Sequence, residues 1–212
     1  MPEPRAPRSV KIGSDERTGW SSERPRREGT PARPPDVSVR STVLRPSDRL
    51  RYSPGSLLLI VGAAAAEPDV FAERVVEERS SIFSLNKVRV LLGRKVAEDA
   101  IEAKARELLN AAVQKRLQAG QTVVIAIDGF DPAGRAQYVQ LAHGQRRPRH
   151  LILLETPRDQ VQDEERPGLD ELRRALDAGE LGSEGFATVL RLGGNALREV
   201  NRIVFQARPR DD

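Results

Sequence analysis

Apolar residues come in short unbroken runs, separated by longer stretches in which they recur every third or fourth position. Residues 57–61 (LLLIV), 122–127 (TVVIAI) and 150–155 (HLILLE) are of strand length and lack polar alternation, which suits strands covered on both faces of a parallel sheet. SSIFSL predicts a shorter strand around Ile82 and Phe83, and NRIVFQ (201–206) a last one. Pro68 suits a first helical turn, and Phe71, Val75 and Val76 follow it at helical spacing. Ile101, Ala105, Leu108, Ala112 and Leu117 track one face of a helix over about 98–118, with Gly120 as its stop. Asp131 as N-cap and Pro132 open another helix, with Tyr138, Val139, Leu141 and Ala142 on its apolar side. Residues 158–180 read as charged and weakly amphipathic. This alternation predicts an α/β domain with a mostly parallel sheet of about five strands between two helical layers.

Composition adds a tail. Residues 1–50 hold 11 Lys/Arg and 7 Asp/Glu, so 11 − 7 = +4 is the whole net charge of the 212-residue chain. The same stretch carries 8 of the 15 prolines and few aliphatic residues, too little apolar surface to offset the entropy of ordering. Residues 1–48 are therefore expected to be disordered, 49–208 to form the domain and 209–212 to be a flexible end. The tail reads as a solubilising extension, with a basic arm for nucleic acid as the alternative. Cysteine is absent, which excludes disulfides, thiol nucleophiles and thiolate metal sites. No run approaches the roughly 18 apolar residues of a membrane span, and the opening residues lack a secretory apolar segment, so the expected location is the cytoplasm, away from membranes.

In a doubly wound sheet ligands bind outside the carboxyl ends of the strands, here the loops after Val61, Phe83, Ile127 and Glu155. The stretch LLLIVGAAAAEPDVFAERVV has the strand–loop–helix layout of a phosphate-binding loop. With SLNKVR and VVIAIDGFDPAGR it resembles the P-loop polynucleotide-kinase-like phosphotransferases, such as the AAA-family-ATPase-like kinase domain of bacterial polynucleotide kinase-phosphatases, over about 57–206. That resemblance implies a P-loop NTPase-like three-layer domain with a lid-like segment at about 158–182. It also implies a phosphate loop formed by Gly62, Ala63, Ala66, Glu67, Pro68 and Asp69. Gly62 holds the opening glycine, but Glu67, Pro68 and Asp69 stand where the second glycine, the lysine and the magnesium-binding hydroxyl belong. Ser84 and Arg89 keep the ends of the second motif, while Asn86 replaces its aspartate. In the third motif Ala126 replaces the aspartate, Asp128 and Gly129 replace a threonine and an asparagine, and Arg135 is retained.

A working phosphate loop offers backbone N–H groups, a lysine counter-charge and a hydroxyl for Mg²⁺. Two carboxylates in its place repel polyphosphate, by about 1 kcal/mol per like pair at 4 Å in water and roughly 4 at an effective dielectric of 20. The helix that begins there still presents unpaired N–H groups, so Glu67 or Asp69 is expected to cap it in place of an anion. The implied function is a degenerate kinase-like protein, a pseudokinase acting as an interaction or regulatory module with an unknown protein partner and no cofactor or metal. The alternative is a residual phosphotransferase or ATPase using ATP and Mg²⁺, with Asn86, Asp128 and Arg135 as catalytic candidates and Arg89 and Arg166 as phosphate contacts.

Three further groups stand out. Asp128, Asp131 and Glu155 follow neighbouring strands and form either an acidic cluster or a set of turn and cap residues. His143 and His150 lack the spaced partners of a zinc site. QRRPRH (145–150) is the densest basic patch of the folded part, a contact for phosphate backbones or a solvated loop.

Overall fold

A computed structural model describes residues 40–63, 67–93 and 95–207. The predicted tail lies outside them up to residue 39, and Ala66 of the predicted phosphate loop lies outside them too.

Strands β1 (Thr42–Val43), β3 (Leu57–Gly62), β4 (Ile82–Ser84), β5 (Val123–Asp128), β6 (Arg149–Leu154) and β7 (Thr188–Leu192) form one sheet in the order β1-β7-β6-β3-β5-β4, and every pairing is parallel. β3 is central and wholly buried, as its unbroken apolar run predicts. The five strands from β7 to β4 give the doubly wound, P-loop NTPase-like order, in which the first of the five along the chain, β3, lies between the third and the fourth.

Three corrections concern the strands. Thr42 and Val43, inside the stretch expected to be disordered, pair with Thr188 and Val189 at the sheet edge. The fifth strand of the core is β7, whose TVLRL sequence mixes an arginine into its apolar run; that single exposed position hides it from a search for continuous hydrophobicity. The predicted last strand, β8 (Arg202–Phe205), leaves the main sheet and pairs in parallel with β2 (Arg49–Tyr52).

Helix α1 (Glu67–Val75) buries Phe71 and Val75 as expected, together with Ala72, and Val76 is buried just past its end. Ser84 caps the unforeseen helix α2 (Leu85–Leu92), its hydroxyl accepting from the Lys87 N–H at 3.1 Å. Helix α3 (Glu98–Gln118) has the predicted span but a rotated face: Ala105, Leu109, Val113 and Leu117 are buried, an i, i+4 row, and Leu108 is 42% exposed. Asp131 caps α4 (Pro132–Gly144) with both carboxylate oxygens, to the N–H groups of Ala133 (3.0 Å) and Gly134 (3.2 Å). The region read as weakly amphipathic and lid-like holds α5 (Arg166–Asp177), whose Leu169, Leu172 and Leu176 sink into the core beside Leu181. Its apolar stripe is narrow and flanked by charges, so the average character of the segment conceals it. A short α6 (Gly194–Glu199) precedes β8. One apolar cluster packs α3, α4 and α5 on one face of the sheet, and the other packs α1 and the β2–β8 pair on the opposite face.

Candidate functional site

The ends of β3, β5 and β6 lie side by side, with Gly62 in register with Asp128 and Val61 with Leu153. The Gly129 N–H donates to the Gly62 carbonyl at 2.9 Å and so closes the mouth between β3 and β5. Gly129 sits at φ +85°, a conformation that accepts glycine without strain.

Glu67 and Asp69 stand in the first turn of α1, directly after the loop that leaves β3. A Cβ on Gly62 would meet the Pro68 ring at 3.2 Å and Glu67 Oε2 at 3.5 Å, so the proline and the glutamate overhang the strand end. Each carboxylate accepts from a hydroxyl on a neighbouring strand end. The Thr156 hydroxyl, past β6, donates to Glu67 Oε2 at 3.2 Å. The Ser84 hydroxyl, ending β4, donates to Asp69 Oδ2 at 2.8 Å within the buried interior. The acids thus tie α1 to strand ends on both sides of β3.

Arg89 and Arg106 converge on one carboxylate. Glu102 accepts from Arg89 Nε at 2.6 Å and Nη2 at 3.0 Å, and from Arg106 Nε at 2.6 Å. The hydrogen bond from Arg89, with lesser help from Arg106, holds the Glu102 carboxyl down at about 2. Both arginines line a cavity of about 150 Å³ at the β5 end, together with Leu85, Asp131, Gln137 and Tyr138. Glu102, Arg106 and Thr156 escaped the sequence reading. The i, i+4 spacing of Glu102 and Arg106 was a usable signal for the first two, whereas nothing local marks Thr156.

Other predicted residues serve the fold. Arg135, a catalytic candidate of the phosphotransferase alternative, is 2% exposed and donates to the Phe130 carbonyl (2.7 Å) and to both oxygens of Glu184 (3.0 and 3.2 Å). Arg166 donates to the carbonyls of Arg158 (3.1 Å) and Val161 (3.2 Å) and pairs with Asp163, so it braces the turn leading into α5. Asn86 lies in the first turn of α2. Of the acids read as either a cluster or a set of turn and cap residues, Asp131 is a cap, and Glu155 pairs with Arg173 and Arg191. Among the described residues no group of three His, Asp or Glu can hold a metal ion. The Asp128 side chain lies outside the described atoms. His150 is buried, with Nδ1 2.8 Å from the Thr188 hydroxyl and Nε2 3.3 Å from that of Ser56. Burial, with the Arg149 charge nearby, pushes its imidazole down to about 4. No described helix is long and apolar enough to cross a membrane.

No protein-family model matches the sequence, and no curated protein does. Among solved structures the chain is similar to one from the PezAT chromosomal toxin-antitoxin system of Streptococcus pneumoniae, at 14% identity, TM-score 0.43 and 69% coverage of each chain. It is also similar to a gluconokinase from Sinorhizobium meliloti, at 14% identity and TM-score 0.41, covering 71% of this chain and 91% of that one. A third is the Deinococcus radiodurans tunicamycin resistance protein, at 16% identity and TM-score 0.38, covering 68% and 91%. These likenesses are distant. The P-loop NTPase-like fold of this chain rests on its own strand order and on the strand–loop–helix unit at the centre of its sheet.

Proposed function

We infer that this P-loop kinase-like domain is a pseudokinase: it performs no orthodox ATP phosphotransfer and acts as an interaction or regulatory module. One observation carries the reading. Glu67 and Asp69 hold the first turn of α1, where polyphosphate would need a lysine and a hydroxyl, and both carboxylates are bonded to Thr156 and Ser84. Asp69 cannot simply swing away, because it is buried and accepts from a buried serine. A triphosphate seated there would meet two like charges, each costing about 1 to 4 kcal/mol at contact range. The donor set therefore does not fit ATP and Mg²⁺ in the usual pose, and no reaction step is assigned to them. Their negative charge in the first turn of α1 is also favoured by the helix dipole.

A second reading, a residual nucleotide-binding phosphotransferase, draws on the cavity that Arg89 and Arg106 line. Thermal unfolding of the intact protein during titration with ATP and Mg²⁺ separates the two. A native-state ligand at 100 times its dissociation constant adds about 2.7 kcal/mol, which is a readable rise in Tm. The pseudokinase reading expects no rise. A saturable rise that disappears in Arg89→Ala, with the unliganded variant still folded, would overturn it.

A further inference from the structure

The opposite edge of the sheet, where β3, β5, β6 and β7 begin, carries a separate feature. Helix α4 ends there in a Schellman motif: the Arg146 N–H donates to the His143 carbonyl and the Arg147 N–H to the Ala142 carbonyl, both at 2.9 Å. The residue just past the Gln145 cap must turn left-handed, a position where glycine is the ordinary occupant. Here it is Arg146, at φ 54° the only non-glycine with positive φ among the described residues. A bulky cation occupies a position that disfavours it.

Two more arginines follow within three residues. The Arg147 guanidinium lies over the glycine turns that open β3 and β5: a Cβ on Gly55 would be 3.4 Å from its Nη1, and one on Gly120 3.0 Å from its Nη2. Arg149 donates from Nε to the Gly185 carbonyl (2.6 Å) and from Nη1 to the Arg147 carbonyl (3.1 Å). Neither pairs with a carboxylate among the described residues. The acids flanking this edge are already engaged: Glu77 with Arg202, Glu78 with Arg116, Glu180 with Arg174 and Glu184 with Arg135. The carbonyl ends of α3 and α4 reach this edge and favour cations. That favours positive charge near a helix end but does not explain a left-handed arginine where glycine costs less.

We propose that Arg146, Arg147 and Arg149 form a docking surface for the phosphodiester backbone of nucleic acid, at the sheet edge opposite the altered phosphate loop. The partner is read from the chemistry. All three cations are arginines, whose planar forks match phosphate oxygens. They are set on a short turn, and the Phe186 and His150 rings beside Arg149 are buried and closed to base stacking, so contact is with the backbone and independent of base sequence.

The test is fluorescence anisotropy of a short labelled DNA duplex with the full chain across salt concentrations. Three phosphate contacts predict a log–log slope of at least about −2.7 in magnitude, and about −2.1 for a single strand. Arg146→Gly is the decisive variant, since it relieves the left-handed backbone while removing one charge. It should unfold no earlier than the parent, lower the magnitude of the slope by about one and weaken binding by up to about eightfold at 0.1 M salt. Arg147→Gln should lower the slope likewise, with circular dichroism reporting whether it is folded. Unchanged slopes in both folded variants would overturn the proposal. So would competition by polyglutamate as effective as that of unlabelled duplex at equal charge, which would assign the surface to an acidic protein segment.

Discussion

The Ser84 hydroxyl donates to the Asp69 carboxylate at 2.8 Å, joining the first turn of α1 to the cap of α2 across a buried seam. The same oxygen accepts from the Lys87 N–H, so one side chain serves a tertiary tie and a helix cap. Ser84→Ala removes both. It is expected to destabilise the protein by about 2 to 3 kcal/mol, a lost cap plus an underbonded buried carboxylate. Urea denaturation of Ser84→Ala, Asp69→Ala and the double variant should give a coupling energy of at least about 0.5 kcal/mol; additive effects would show that the pair does not interact.

Glu67 overhangs the end of β3 and is held by Thr156 alone among the hydroxyls of the described residues, which makes it the more replaceable of the two acids. Glu67→Gln keeps an acceptor for Thr156 and removes one negative charge from the loop. Affinity for inorganic tripolyphosphate, followed by calorimetry, should rise by about fivefold to tenfold, corresponding to about 1 kcal/mol of relieved repulsion. No change would mean that the repelling charge lies elsewhere.

Arg135 is a buried cation satisfied by Glu184 and the Phe130 carbonyl. Removing the carboxylate leaves the guanidinium uncompensated. Glu184→Ala should therefore cost about 3 kcal/mol, and Arg135→Met, which removes the buried charge and keeps much of the volume, should cost less. The order is read from denaturation midpoints at neutral pH; the reverse order would contradict a structural role for the pair.

His150 ties stability to pH. Its folded value of about 4 lies below the ordinary 6.5, so the native protein holds it neutral while the unfolded chain takes up a proton. Its contribution is fully present above pH 6.5 and is lost as pH falls from there towards 4, by about 3 kcal/mol across the window. His150→Gln should be less stable than the parent at pH 7.5 and should lack this decline between pH 6.5 and 4. Unfolding free energies measured at half-unit pH steps check it, and parallel curves would refute the assignment.

Gly193 follows β7 in an extended conformation open to any residue, but a Cβ there would lie 2.7 Å from the Glu155 Cβ. Gly193→Ala must push Glu155 away from Arg173 and Arg191. A loss of about 1 to 3 kcal/mol is expected, and part of it should vanish in a Glu155→Ala background, as thermal unfolding would report.

The amino-acid sequence by itself determined the elements whose signals are local and strong: the unbroken runs of β3, β5 and β6, the cap at Asp131, the span of α3, and the altered chemistry after Gly62. It could do so because burial on both faces, capping and turn formation are written in adjacent residues. Only the tertiary structure decided that β7 and the Thr42–Val43 edge join the sheet, that β8 pairs with β2 instead, and that α5 is docked by three leucines. It likewise decided where the charges go. Arg135 finds Glu184, Asp69 finds Ser84 and Arg89 finds Glu102, at separations of 49, 15 and 13 residues. Partners brought together by packing leave no periodic trace along the chain, so an arginine in a motif looks the same whether it faces a ligand or a carboxylate of its own fold.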